Sequence, residues 1–368
     1  MSDFPRVGVI GAGQLAQMTL APATALGVTL IVFASSPDDP AGLNTPAIIG
    51  DYRDLENVRN FAKECDVITF EHELIPISIV RTLEAEGFKF RPSASSFQYS
   101  QDKALMRQKL AHLPNPKWQV VTEAPDWQYP AIAKRISGGY DGRGVWKVNS
   151  KSELEQLLKE VPTLLLEELI DFDFEIAVMV ARSPHGQAAT WVPTRTVQRD
   201  GICIETVSPV PEFNAQRSEA AQNLALQIAE EINLVGVMAV EMFVKGDELF
   251  INELALRPHN SGHWTIEGSV TSQFEQHVRA ILDLPLGDTS MTATWAVMGN
   301  ILGGSKTDMY RPYLHLMARN PALKFHNYRK AFRPGRKLGH VTITGDNLVE
   351  LRKEIDHALA YMSGEIDE

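Results

Sequence analysis

Glu241 and Glu253 are the two side chains whose placement says most about chemistry. Each sits in an apolar run that reads as a strand, one over residues 235–244 and one from residue 249 onward. Lys245-Gly246-Asp247-Glu248, between the runs, has turn composition. A three-residue loop of Gly246 to Glu248 pairs Lys245 with Leu249, and counting outward sets Glu241 opposite Glu253. Like charges directly opposite repel, and a carboxylate on so apolar a strand loses hydration. A cation between them is expected. Mg²⁺ suits the pair because it combines one or two carboxylates with substrate phosphates. Two unrelated acids at exposed strand ends are the alternative.

The second strand runs into Arg257-Pro258-His259-Asn260-Ser261-Gly262-His263. Histidines four apart can bind zinc on a helix, but Pro258 and Gly262 break one here. A loop histidine donating to an anionic substrate fits better. Lys134 ends a strand over residues 130–134, ahead of a loop with four glycines between Gly138 and Gly144. Such a loop can turn backbone N–H groups onto an anion or close over a substrate. The lysine precedes the glycines and Lys-Ser/Thr does not follow them, so this is no Walker A motif. Asp141 and Arg143 inside the loop argue against a plain hairpin. Glu167 and Glu168 close the apolar run 163–166, where a hinge could read a base and an acid could take ribose hydroxyls. Glu175 alternates with apolar neighbours on the next strand. A salt-bridged structural role is the alternative for each of these three acids.

Gly11-Ala12-Gly13-Gln14-Leu15-Ala16 follows a strand and opens a helix, as a dinucleotide fingerprint does. The first acid after the second strand is Asp38, which fits ribose binding poorly. A substrate phosphate at the helix N-terminus is the favoured ligand, with a ligand-free tight turn as the alternative. The basic run from Arg329 to Lys337 contains Pro334-Gly335 and suggests a shaped turn presenting charge to a phosphate.

The elements that must position these groups fall into an α/β part and an α+β part. Strands over 6–10, 28–33 and 67–70 alternate with helices over 14–26, 55–64 and 77–86, which implies a parallel sheet with crossover helices. A charged helix over 102–110 ends at Leu113-Pro114-Asn115-Pro116, and from about 118 to 283 hairpins mix with helices over 150–159 and 217–232. A shorter segment follows, with a strand over 341–344 and a final helix. The net charge of −11 over 368 residues argues against nucleic acid as a partner. Cys65 and Cys203 form neither a zinc motif nor a disulfide framework. Neither a leader pattern nor a membrane-spanning apolar run is visible, so a cytoplasmic protein is expected.

Taken together these motifs resemble the ATP-grasp superfamily, and within it the N5-carboxyaminoimidazole ribonucleotide synthetases. The resemblance is carried by Gly11 to Leu15, Phe70-Glu71-His72, Gln101-Asp102-Lys103, Gly138 to Gly144, Asn252 to Ala255, Arg257 to His263 and Arg333 to His340, in that order along the chain. It implies a Rossmann-like parallel-sheet domain over residues 1–105, an ATP-grasp domain with a mobile lid over 106–295, and a small C-terminal domain over 296–368. It implies ATP held by Lys103, Lys134, the lid Gly138, Gly139, Tyr140, Asp141, Gly142, Arg143 and Gly144, the hinge Glu167, Glu168, Leu169 and Ile170, and by Glu175, Gln198, Asn252 and Glu253. Mg²⁺, with Mn²⁺ as substitute, falls to Glu241 and Glu253. Aminoimidazole ribonucleotide (AIR) falls to Gln14, Leu15, Glu71, Tyr140, Arg143, Arg336 and Lys337. Asp141, Arg257, His259 and Lys330 are implied in catalysis, with bicarbonate attacking ATP to give carboxyphosphate. A homodimer is also implied. Leu256 stands where the family usually has proline, and Ala255 where some relatives have a third metal ligand. A formate-dependent glycinamide ribonucleotide transformylase is the nearest alternative. A nicotinamide oxidoreductase built on Gly11 to Ala16 would leave Glu241 and Glu253 unexplained.

Overall fold

Apolar strands alternating with amphipathic helices fold as that alternation dictates. The computed structural model describes residues 4–138 and 143–367. β1 (Arg6–Ile10), α1 (Gln14–Ala25), β2 (Thr29–Ala34), β3 (Ala47–Ile49), α2 (Leu55–Ala62) and β4 (Val67–Phe70) build a sheet in the order β3-β2-β1-β4. Its pairings are parallel. α3 (Ile77–Ala85), α4 (Ala94–Gln101) and α5 (Lys103–Lys109) lead out of it. Asp102, read as the first residue of α5, is its N-cap instead and accepts the Leu105 amide at 2.9 Å.

β5 (Trp118–Val121), β6 (Ala131–Arg135), β7 (Val145–Val148), α6 (Lys151–Glu160) and β8 (Leu164–Glu168) form a small unit. Its sheet is antiparallel, ordered β5-β8-β6-β7, with Leu154 and Leu158 of α6 buried against it. The remaining strands are β9 (Phe174–Arg182), β10 (Ala188–Thr190), β11 (Thr194–Arg199), β12 (Ile202–Ser208), β13 (Gly236–Lys245), β14 (Glu248–Ala255), β15 (Trp295–Leu302), β16 (Lys324–Asn327) and β17 (Lys337–Gly345). They join in a nine-stranded sheet ordered β14-β13-β9-β11-β12-β15-β17-β16, with β10 beside β9. Its helices are α7 (Ala215–Glu231), α8 (Thr265–Gly268), α9 (Gln273–Ile281), α10 (Arg311–Arg319) and α11 (Leu348–Ser363).

The small C-terminal domain is therefore not separate in its hydrogen bonding. β15 pairs with β12 from Glu205↔Gly299 to Ser208↔Ala296, continuing the central sheet. The expected boundary after residue 105 lies within α5, and that after 295 lies within β15. The N-terminal and central cores merge as well, whereas the C-terminal segment has a cluster of its own around Val297, Val341 and Ile355. A single apolar cluster runs from Ile10 and Phe70 through Phe97 and Met106 to Val240 and Leu254. Leu256, the residue in place of the usual proline, is fully buried in it. His277 of α9 ties the N-terminal sheet to the central one, with Nε2 at 2.8 Å from Thr69 Oγ1 and Nδ1 accepting the Val237 amide at 3.2 Å. The N-terminal sheet is thereby fixed against β13, the strand that carries Glu241.

Candidate active site

Glu241 faces Glu253 across β13 and β14, but not by the expected route. The turn is one residue shorter: Lys245 pairs with Glu248 around Gly246-Asp247, and Gly246 has φ +55°, the positive value a primed hairpin turn needs. Further along, Met242 pairs with Ile251 while Glu241 pairs with Glu253, so Asn252 is the extra residue of a β-bulge. The bulge restores the register that the shorter turn shifted. It also aims the Asn252 side chain at the small sheet, where its Oδ1 accepts from Lys134 Nζ at 2.9 Å.

The two carboxylates are set apart by their neighbours. Burial raises both, but Lys103, 2.5 Å from Glu253, and Lys134 pull Glu253 below the usual range. Glu241 is pushed up by burial and by Glu253 itself. The side chains keep 22% and 35% of their surface exposed, so a cation entering the cleft can reach them. Their repulsion is what a divalent ion relieves, and a two-carboxylate set fits Mg²⁺ completed by phosphate oxygens. Among the described residues no group of three or more His, Cys, Asp or Glu is arranged to hold a metal.

Lys134 itself is buried and held by Glu167 at 2.8 Å. Glu167 accepts a second charge-assisted bond from Arg107 Nε at 2.6 Å. Burial would raise its carboxyl, yet Lys134 and Arg107 bring it down to about 2. The Glu167 carboxylate is thus engaged inside the protein, as the salt-bridge alternative has it. Glu168 Oε1 accepts the Lys117 amide at 2.7 Å, while Leu169 and Ile170 beyond it are at least partly open. Arg107 escaped notice in the sequence. It is fully buried, donating also to Asn115 Oδ1 at 2.8 Å, Ile251 O at 2.7 Å and Asn252 O at 3.0 Å. Its spacing of four from Lys103 on α5, which puts both on one helix face, was the available signal.

Arg257 and His259 border the same cleft. Burial opposes the charge on Arg257, but Glu73 at 2.8 Å outweighs it and raises the guanidinium further. Glu73 is a second residue that the spacing did not flag. His259 Nδ1 accepts from Ser261, at 2.9 Å to its hydroxyl, which turns Nε2 toward Glu241 Oε1 at 3.3 Å. Burial, with Arg257 and Lys337 nearby, lowers His259 to about 3, so it works as a neutral donor. His263 does not share this site. It is fully buried, accepts from Gln273 Nε2 at 3.1 Å and lies 4.8 Å, ring to ring, from His340.

The glycine-rich turn before α1 is not an open anion site either. Glu71 Oε2 already accepts from the amides of Gly13 at 2.6 Å and Ala16 at 3.2 Å, replacing the expected substrate phosphate. A Cβ on Gly13 would collide with Glu71 Oε1, which explains the glycine there. Burial pushes Glu71 up to about 7 against those two bonds, with Lys330 and Arg257 close enough to act on its charge. The Leu15 side chain is buried in this turn, whereas Gln14 is half-exposed. The basic run forms a shaped turn: Gly335, at φ +72°, donates to Gly303 O at 2.8 Å, and Arg336 donates to Ala331 O at 3.0 Å. Lys330 lies 5.6 Å from the Tyr328 ring centre.

The Glu175 carboxyl, pushed up to about 7 by burial against the charge of Lys134, makes no side-chain hydrogen bond or close ion pair with another described residue. That disfavours the salt-bridge alternative. Gln198 sits two strands from β13, at a bulge in β11. Gly138 and Gly144 frame the glycine loop with φ +78° each, and Arg143 beside it is exposed. Gly139, Tyr140, Asp141 and Gly142 lie outside the described residues.

A lysine on a small antiparallel sheet, reaching over a carboxylate pair on a larger one, is the signature of an ATP-grasp enzyme. The ATP-grasp domain family matches residues 105–274, the ribonucleotide synthetase preATP-grasp domain 4–101, and the phosphoribosylaminoimidazole carboxylase C-terminal domain 296–354. N5-carboxyaminoimidazole ribonucleotide synthase of Mycobacterium bovis is 41% identical, over 98% of this chain and 88% of that one. The Synechococcus elongatus protein of the same name is 37% identical, over 98% and 95%. An N5-carboxyaminoimidazole ribonucleotide synthetase in complex with ADP superposes with a TM-score of 0.90 at 30% identity, covering 100% and 99% of the two chains. The Aspergillus clavatus N5-carboxyaminoimidazole synthase in complex with ADP and 5-aminoimidazole ribonucleotide gives 0.86 at 30% identity, covering all of both. The chain belongs to the N5-carboxyaminoimidazole ribonucleotide synthase family.

Proposed function

We propose that this cleft joins bicarbonate to AIR at the expense of ATP, with the residues above in defined roles. As an ATP-grasp ligase of purine biosynthesis, the chain makes N5-carboxyaminoimidazole ribonucleotide. The observation that carries the assignment of roles is the polarity of the cleft. Lys103 and Lys134 flank the Glu241–Glu253 pair, and His259 and Arg257 approach it through Glu241.

In this reading Lys103 and Lys134 hold the ATP phosphates, and Glu175, Leu169, Ile170 and Gln198 face the nucleoside. Glu241 and Glu253 hold Mg²⁺, which neutralises phosphate charge when bound. A bicarbonate oxygen attacks the γ-phosphorus, ADP leaves, and carboxyphosphate forms. Arg257 and the Nε2–H of His259 bind its anionic oxygens in a site screened from water. The exocyclic nitrogen of AIR then attacks the carboxyl carbon. Phosphate leaves, and Asp141, with Lys330, takes up the amine proton. Gln14, Glu71, Tyr140, Arg143, Arg336 and Lys337 orient AIR. Glu167 to Ile170 form the adenine hinge through their main chain, while the carboxylates of Glu167 and Glu168 are bonded within the protein. A homodimer and a cytoplasmic location belong to the same proposal. Among the described residues no helix is long and apolar enough to cross a membrane.

The test is ADP release from MgATP and bicarbonate with and without AIR. Strong stimulation by AIR, and none by glycinamide ribonucleotide with formate, is the expected result. Absence of stimulation by AIR would overturn the acceptor.

A further inference from the structure

We infer that Gln273 is a positioning residue that sets the geometry of His259, and that Gly262 exists to let it do so. The inference rests on the role given to His259 above. Gln273 is fully buried at the start of α9. Its amide grips the main chain of His259 from both sides: Oε1 accepts the His259 N–H at 2.8 Å, and Nε2 donates to the His259 C=O at 2.8 Å. Nε2 also donates to His263 Nδ1 at 3.1 Å. One amide edge meets the His259 N–H and the other its C=O, so a flipped amide would break both main-chain contacts. The main-chain amide of Gln273 is anchored in turn, donating to Thr265 Oγ1 at 2.9 Å, and Thr265 Oγ1 donates to Gly262 O at 2.6 Å.

His259 stands outside regular structure, between the end of β14 and the short 3₁₀ turn Asn260–Gly262. Its backbone therefore has no ladder to fix it, and Gln273 supplies the two bonds a neighbouring strand would give. With φ −128° and ψ 153° so fixed, the ring reaches Ser261 with Nδ1 and Glu241 with Nε2. Gly262 makes room for the clamp. A Cβ there would lie 2.8 Å from Gln273 Oε1 and 3.0 Å from Met179 Cγ. Gln273, fourteen residues along the chain, thus serves the ring through the His259 main chain alone.

The experiment compares Gln273→Met, which keeps the volume and loses the three bonds, with wild type. The readouts are KM for MgATP, product formed per ADP released, and the imidazole signals of ¹⁵N-labelled histidine, with His259 assigned by His259→Asn. Expected are a KM for MgATP changed by no more than about twofold, product per ADP lowered about tenfold, and a displaced His259 signal. A folded Gln273→Met protein with wild-type product per ADP and an unmoved His259 signal would overturn the inference. If Gln273→Met does not fold, Gly262→Ala and the isosteric Gln273→Glu carry the same expectation and the same refutation. Failure of the functional reading looks different: the wild-type protein itself would show no response to AIR, while the His259 signal would still report on the clamp.

Discussion

Lys134 and Glu167 lie 2.8 Å apart in the floor of the cleft, and the lysine is held in place by an acid that no ligand can reach. Glu167 balances two cations, Lys134 and Arg107, while Arg107 also bonds the backbone of the Asn252 bulge. The charge proposed to hold phosphate and the framework charge are thereby wired to each other, and removing one member should disturb both.

Arg107→Met tests that wiring. It leaves three acceptors unsatisfied and Glu167 with one cation, and breaking such a buried pair costs about 3–5 kcal/mol. Chemical denaturation should show a lowered midpoint, and the KM for MgATP should rise because Lys134 and Asn252 lose their support. The pH dependence follows from Glu167. Its folded carboxyl, near 2, lies below its unfolded value of about 4.5. Its contribution is therefore complete above pH 4.5 and lost as pH falls toward 2. The variant should have less acid-labile stability to lose. An unchanged midpoint would mean that Arg107 is replaceable.

Glu253→Gln should abolish AIR-dependent ADP release, by about a hundredfold or more, while leaving the melting temperature near wild type. The carboxylate lies in the open cleft beside Lys103, so its loss removes function without opening the core. Near-normal turnover in this variant would refute the metal assignment.

His259→Ala should keep ATP affinity and lose coupling, releasing several ADP for each product molecule. Its ring touches Glu241 and Ser261 but neither lysine of the phosphate site. A large fall in MgATP affinity with coupling intact would place His259 elsewhere.

How much of this was legible in the sequence depended on distance along the chain. The Glu241–Glu253 pairing was reached because a hairpin is local, even though the turn and the bulge each departed from the count by one residue and cancelled. The parallel sheet was readable from short repeating patterns. Glu71 was a different matter. Its seat at the N-terminus of α1, 55 residues away from Ala16, depends on β4 lying beside β1, and no spacing rule carries that. Arg107 and Gln273 were hidden for the same reason. In sequence they are ordinary polar residues of two helices, and only tertiary burial makes their bonds count.

His277 offers a test in acid. Burial lowers its imidazole to about 3, so it stays neutral when folded and takes a proton on unfolding below about pH 6.5. Its stabilising contribution is whole above pH 6.5 and drains away toward pH 3 at up to about 1.4 kcal/mol per pH unit. Glu71 and Glu175, with raised carboxyls, push the other way between pH 7 and 4.5, so the effect must be read as a difference. His277→Gln should be less stable than wild type at about pH 8, with the gap narrowing at about pH 5 in urea titrations. A gap independent of pH would contradict it.

The pairing of β12 with β15 has a consequence for solubility. A chain cut before β15 would not become a smaller enzyme. It would expose the donors and acceptors of Glu205 to Ser208 as a raw sheet margin, together with the side chain of Val207, which is normally covered. Such margins recruit strands from other molecules. The C-terminal segment from β15 onward therefore acts as a selvedge that keeps the central sheet from fraying into aggregates.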